Sequence, residues 1–333
     1  MITVAPSPRG FESVVGQDQA LTLLRQGLRR DRIAPAYLFT GPEGVGRSLT
    51  ARLFIQEILC SHAPQQQPHL ENHPDVLWLE PTYLHQGKLY TKTQLLAQEQ
   101  TLPKTRPQIR LDQIRQLGQH LGRPPLSAPR SLVVIDQAET MAEGAANGLL
   151  KTLEEPGRAT IILIAPSDTA LLPTLVSRCQ KVPFYRLSHR DLERVLSQVA
   201  PPEFIQADHP YLMDLAAGSP GAALHHWQVW QAIPGEILEA VLALDRPQPL
   251  RDRLELAKTL GQTLELDQQI WLLGLMQQVL WQRALDHHCP HQCQPLLTLL
   301  EQARQHLIHY VQPRLVWEVT LLGLNLEHPF LGV

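Results

Sequence analysis

The chain has 333 residues, 44% of them hydrophobic, 18% charged and 5% aromatic, with a formal net charge of −3. That composition excludes wholesale disorder, and at roughly 100–150 residues per domain the length implies two or three domains. Four scattered cysteines (Cys60, Cys179, Cys289, Cys293) exclude a disulfide framework, no apolar run approaches a membrane span, and the opening MITVAPSPRG lacks signal-peptide character. A soluble cytoplasmic protein is expected.

Along the first half, helical patterns alternate with short apolar runs. Helix is predicted over Asp18–Arg30, a strand over Ala36–Phe39, helix over Arg47–Cys60 and a strand over Asp75–Leu79. There follow a helix over Leu111–Leu121, a strand over Ser131–Ile135, a helix over Ala145–Glu155 and a strand over Thr160–Ala165. The strands are nearly continuous apolar runs, as parallel strands covered on both faces require, so a doubly wound α/β domain is expected. The polar stretches His62–Pro74 and Gln86–Pro107 read as surface insertions, the second as a mobile one. Beyond Pro183 the pattern is helical, with breaks at Pro201–Pro202 and Gly218-Ser219-Pro220-Gly221. A stripe of Leu264, Trp271, Leu272, Leu273, Leu275, Met276, Val279 and Leu280 predicts a helix buried nearly all round. The last predicted helix is Arg314–Leu326.

Charge is uneven. Between Lys88 and Arg130 lie eight Lys/Arg (88, 92, 104, 106, 110, 115, 123, 130) against two acids, Glu99 and Asp112. Such an excess suits a phosphate-facing surface, with a plain solvated face as the competing reading.

The sharpest local feature is Gly41-Pro42-Glu43-Gly44-Val45-Gly46-Arg47-Ser48, which follows a predicted strand and opens a predicted helix. In that setting glycines let the backbone curl so that N–H groups converge on phosphate, and the helix N-terminus adds positive potential. The Ser48 hydroxyl is placed to reach a magnesium ion. The pattern calls for lysine where this chain has Arg47, and a planar guanidinium does not replace a compact ammonium between phosphates. A Gly-rich turn without a ligand is the competing reading. Downstream, the apolar run Leu132-Val133-Val134-Ile135 ends in Asp136, which suits the metal, or else caps a turn. Next comes Gln137, an amide that cannot take a proton from water as a carboxylate does. Gly41, Gly44, Gly46, Arg47, Ser48 and Asp136 thus outline an ATP–magnesium site altered at two catalytic positions.

Phe11-Glu12-Ser13-Val14-Val15-Gly16-Gln17, followed by Ala36-Tyr37-Leu38-Phe39-Thr40-Gly41-Pro42, is similar to the opening of bacterial clamp-loader AAA+ subunits. Ala145-Ala146-Asn147-Gly148-Leu149-Leu150-Lys151-Thr152-Leu153-Glu154-Glu155-Pro156 resembles an internal segment of that family, and Ser177-Arg178-Cys179 its SRC motif. Pro313-Arg314-Leu315-Val316-Trp317-Glu318 resembles the last helix of its collar domain. The matches keep the family's order over nearly the whole chain. The resemblance implies an AAA+ P-loop α/β core over residues 1–184, a parallel sheet with helices on both faces. It further implies a small helical lid over 185–230 and an all-α collar over 231–333.

The family holds ATP-hydrolysing motors (gamma/tau), a clamp opener (delta) and a delta-prime kind. Motors carry lysine in the P-loop, glutamate after the magnesium aspartate and arginine in a Gly-Ser-x-Arg segment. Here Gly221 stands where that arginine would be, so the chain most resembles the delta-prime kind. Such a subunit sits in a hetero-pentamer with gamma/tau and delta that loads the sliding clamp onto primed DNA in the cytoplasm. The resemblance makes Arg178 an arginine finger offered to a neighbour's ATP site, where a surface salt bridge is the plain alternative. ATP and magnesium are expected to bind weakly at most and hydrolysis is not expected, so any polymerase label belongs to the assembly. Arg110 and Arg115 are the candidates for DNA phosphates. Two other readings stay open: a nucleotide-binding or active gamma/tau-like motor, and a DNA-binding module acting through the basic stretch.

Family members commonly carry a four-cysteine zinc module after the P-loop helix. Here Cys60, His62, His69 and His73 lack CxxC pairs, so a lost metal is expected. The cluster His287-His288-Cys289-Pro290-His291-Gln292-Cys293 falls where the family has no metal site, and zinc is not expected there either. Cys179 reads as a small buried residue rather than a nucleophile.

Overall fold

Apolar side chains on both faces make the runs after Pro35, Asp75, Arg130 and Arg158 strands of one buried sheet. The computed structural model describes residues 10–61, 70–98, 103, 105–206, 210–244, 249–288 and 290–324. Its strands are β1 (Ala36–Thr40), β2 (Val76–Leu79), β3 (Thr82–His85), β4 (Lys88–Thr91), β5 (Ser131–Ile135), β6 (Ala159–Ala165) and β7 (Gln180–Pro183). Five of them form a parallel sheet in the order β2-β5-β6-β1-β7, and β3 and β4 form an antiparallel hairpin. Every residue of β5 and β6 is buried.

Helices α1 (Asp18–Arg29), α2 (Arg47–Cys60), α3 (Lys92–Ala97), α4 (Leu111–Leu121), α5 (Glu143–Glu154), α6 (Pro173–Val176) and α7 (His189–Val199) accompany the strands. Strand period two sends alternate residues to opposite faces. Ala36, Leu38, Val133, Ile135, Ile161 and Leu163 share a core with Ile114, Leu117, Leu149 and Leu175 of α4–α6. On the other face Tyr37 meets Phe54 of α2 edge-on, ring centroids 5.3 Å apart. This is the expected α/β core with helices on both faces.

Two local features depart from expectation. β7 has no apolar run: Gln-Lys-Val-Pro is half exposed at the sheet edge, where partial burial and a terminal proline are tolerated. The stretch read as a mobile insertion from Gln86 holds the second strand of a hairpin and a capped helix. Gln86 and Gly87 both have positive φ (49° and 77°), as a tight two-residue turn demands. The Thr91 hydroxyl then accepts from the Gln94 N–H at 3.2 Å, while the Gln94 side chain accepts from the Thr91 N–H at 2.9 Å, a reciprocal cap that starts α3. Residues 62–69 of the first insertion lie outside the described residues, as do Glu99 and Lys104.

The chain divides into two compact units, one running to Val199 and including Gly218–Pro220, the other taking Ala200–Ala217 and the chain from Gly221. After α7 come only helices among the described residues: α8 (Pro202–Gln206), α9 (Pro210–Ala216), α10 (Pro220–Ala232), α11 (Gly235–Leu242), α12 (Leu250–Thr263), α13 (Leu266–Asp286), α14 (Gln294–Ile308) and α15 (Pro313–Gly323). The predicted stripe is core: Leu272, Leu273, Leu275, Met276, Val279 and Leu280 of α13 are all buried. Wholly buried Trp317 donates its indole N–H to Gln269 Oε1 at 2.8 Å, and Gln269 Nε2 donates to the Leu264 carbonyl at 2.7 Å. α15 ends at Gly323, and Leu326 lies outside the described residues. No described helix is long and apolar enough to cross a membrane.

Asp75, 3% exposed at the foot of β2, ties the β5 approach to the sheet. Its carboxylate accepts from the backbone N–H groups of Leu126, Ser127 and Ala128 at 2.7–2.8 Å and from the Ser127 hydroxyl at 3.1 Å. Burial alone would raise its pKa, but these bonds together outweigh burial and hold it below the ordinary carboxylate value. A lowered folded pKa makes the stabilisation complete above about pH 4 and lost as pH falls through the folded value. Asp75→Asn is therefore expected to cost about 1–3 kcal/mol at neutral pH, read by urea denaturation, and to flatten the loss of stability below pH 4.

Candidate functional site

Parallel strands deliver their C-terminal ends to one edge of the sheet, and the candidate site forms there. The loop from Gly41 joins β1 to α2, and Asp136 follows β5. The Ser48 hydroxyl donates to Asp136 Oδ2 at 3.0 Å, so the two residues predicted to share a metal are brought together.

The loop is held by close approach and left-handed backbone. Gly41 (φ 149°) lies against Phe184, where a Cβ would collide with the carbonyl oxygen. Gly46 (φ 102°) caps α2 with open space where its Cβ would stand, leaving the helix N-terminus uncovered at that point. Gly44 is also left-handed, at φ 74°. Ser219, 2% exposed, donates its hydroxyl to the Glu43 carbonyl at 2.7 Å.

Arg47 is half-buried in the first turn of α2, and its Nη1 is shielded from solvent without a hydrogen-bond partner. Burial lowers its pKa, opposed by the charges of Asp136, Glu139 and Glu43. Partial desolvation raises the Glu139 carboxyl, helped by Asp136 and Glu43 and opposed by Arg47. Burial and Asp136 likewise raise Glu80, opposed by Arg52. The negative charges of Asp136, Glu139 and Glu43 thus act on Arg47. Gln137 is left-handed (φ 51°) and exposed; its backbone N–H donates to Asp136 Oδ1 at 3.0 Å. Gly221 lies in the first turn of α10 and brings no side chain.

The remaining candidates lie elsewhere. Arg178 is exposed just beyond α6. Its Nη2 donates to Glu154 Oε1 at 2.7 Å and its Nη1 to the Thr174 carbonyl at 2.9 Å. Cys179 beside it is half-buried, its thiol pushed up to about 11 by burial, so it stays neutral. Arg110 is half-buried at the start of α4 with Nε unpartnered, and Arg115 pairs with Asp112 at 2.8 Å on the exposed helix surface. Cys60 is half-buried, and His73 Nδ1 accepts from the Asp75 N–H at 3.2 Å. His62, His69 and Cys289 lie outside the described residues. Among the described residues no three His, Cys, Asp or Glu side chains are grouped to hold a metal ion.

Gln17, quoted above only as part of a motif, turns out to fasten the loop. At 2% exposure it donates to the Tyr185 carbonyl at 2.7 Å and the Val45 carbonyl at 3.3 Å, and accepts from the Tyr185 N–H at 3.0 Å. One side chain thereby joins the Gly41–Ser48 loop to the segment after β7. A glutamine preceding an amphipathic helix carries no local mark of this, because its partners lie far along the chain. Glu80, Glu139 and Glu154 carry no local mark of their surroundings for the same reason.

Residues 16–188 match the family model described as DNA polymerase III, delta subunit, and residues 190–324 match Cyanobacterial DNA polymerase III delta prime, C-terminal domain. Among curated relatives, DNA polymerase III subunit tau of Bacillus subtilis is 27% identical over 64% of this chain and 36% of its own length. DNA polymerase III subunit delta' of the same organism is 29% identical over 56% of this chain and 53% of its own length. The matched segment thus spans about a third to a half of these relatives. A solved structure of a DNA polymerase III gamma subunit-related protein from Thermotoga maritima aligns with TM-score 0.47 and 18% identity, covering 92% of this chain and 98% of that one.

Gln17→Ala strands the Tyr185 N–H and carbonyl together. It is expected to cost on the order of 2–3 kcal/mol, read as a lower urea midpoint.

Proposed function

Because the chain belongs to the DNA polymerase III delta and delta-prime family, we propose that it is a delta-prime-like subunit of a clamp loader. Its partners are the gamma/tau motor and delta subunits, with the sliding clamp and primed DNA as the assembly's substrates. Residues 185–230 act as a lid and 231–333 as the collar that joins the other subunits. Arg110 and Arg115 face DNA phosphates, where an exposed pair such as Arg115–Asp112 exchanges partners at little cost.

One combination carries this reading: an altered phosphate site in a chain that also keeps an exposed arginine at 178. Ser48 and Asp136 fit a magnesium ion, and the loop amides with the orphaned Arg47 Nη1 fit a phosphate. A nucleotide bound there would meet no carboxylate at position 137 to polarise water. Arg178, by contrast, is exposed on the surface. Lent to an adjacent motor, its guanidinium neutralises charge on the transferred phosphoryl group as the bond breaks. The retained Ser48–Asp136 bond and the similarity to tau favour a second reading, a subunit that binds nucleotide as a motor does.

Reconstitution with gamma/tau and delta separates these. Arg178→Ala is expected to leave the size of the assembly unchanged while slowing ATP turnover, since such fingers are worth about 10³–10⁵ in rate at the site they serve. The isolated chain is expected to show weak equilibrium binding of labelled ATP and no turnover. Magnesium-dependent turnover by the isolated chain that Asp136→Ala abolishes would establish the motor reading instead.

A further inference from the structure

Arg178 is not free at the surface. Its two anchors come from different elements: Thr174 lies one turn back on α6, and Glu154 is the last residue of α5. Leu149 and Leu153 of α5 share a buried core with Leu175 of α6, so the ends of the two helices are fixed relative to each other. The arginine is therefore held from two directions by rigid supports. Its backbone is pinned as well, the Arg178 N–H donating to the Leu175 carbonyl at 3.1 Å.

The anchoring leaves the guanidinium usable. A guanidinium has five N–H donors in a planar fork. The anchors take one on each terminal nitrogen, so one remains on each, together with that on Nε. The side chain keeps 36% of its surface exposed and that of Glu154 keeps 52%. An ion pair this exposed adds little to the stability of the fold. Its physical effect is on rotamer freedom, because a long flexible side chain must otherwise be ordered when a partner docks. Glu155, the next residue, makes no ion pair with Arg178 and is exposed.

We propose that Glu154 is a positioning residue, holding the Arg178 guanidinium in the orientation in which it meets a neighbouring subunit's phosphate, an inference that rests on the reading of Arg178 as a finger. The carboxylate acts through the arginine and does not itself touch the nucleotide. Glu154 thereby orders the side chain in the free subunit, before the neighbour arrives.

The test uses the assembly reconstituted with gamma/tau and delta, and reads kcat and KM for ATP, assembly size and thermal midpoint. Glu154→Ala is expected to lower kcat about 3- to 10-fold, the cost of ordering one rotamer-rich side chain, with KM, assembly size and midpoint unchanged. Glu154→Gln keeps an acceptor oxygen and is expected to restore most of the turnover. Glu155→Ala changes charge equally without touching the arginine and is expected to match the unaltered protein. Combining Glu154→Ala with Arg178→Ala is expected to give no more than the arginine change alone. If Arg178→Ala slows turnover while Glu154→Ala leaves it equal or raises it, or if the two losses multiply, the positioning role is overturned. If Arg178→Ala has no effect, the finger reading itself fails.

Discussion

A serine hydroxyl 3.0 Å from an aspartate joins the end of one strand connection to the end of another. Ser48 reaches Asp136 only because β1 and β5 run parallel, separated by β6, and stop at the same edge. Parallel pairing in turn requires both faces to be covered, which explains why β5 and β6 contain no exposed residue. The geometry of the site is thus a consequence of core burial.

Three contacts hold the Gly41–Ser48 loop. Gln17 bonds Val45, Ser219 bonds Glu43, and Gly41 packs against Phe184. All three contacts run from protein to protein, so the loop keeps its curl by its own means. Arg47 takes no part in those supports. The three carboxylates whose charges act on Arg47 compensate part of the penalty of half-burying a guanidinium. A triphosphate would have to compete with them for it.

What the sequence made legible follows from how local each signal was. β1, β5 and β6 announce themselves as apolar runs, and α13 as a stripe, because the cause lies within the element. β7 has no such signature, since an edge strand needs only one good neighbour and its Val182 is buried alone between exposed and half-exposed residues. The hairpin was legible in principle: Gln86-Gly87 stands between Leu84 and Leu89, which face each other across the strands. Overall polarity of the segment masked that alternation. In the candidate site, spacing singled out Ser48 and Asp136, which lie together, whereas Gln17, Glu80 and Glu139 take their surroundings from residues distant in sequence.

Arg47 and Arg178 carry the same side chain and face opposite physical situations. Arg47 is half-buried, one nitrogen cut off from both water and partner, with its pKa lowered by that burial. Arg178 is anchored at two points yet exposed. A guanidinium in the first situation is reached less easily from outside, and the charges of Asp136, Glu139 and Glu43 act on it. In the second its remaining N–H donors can meet another anion while both anchors stay in place. Burial, more than residue type, therefore decides which arginine is available to another molecule. That distinction sets the half-buried Arg47 apart from the exposed Arg178 on which the proposed function rests.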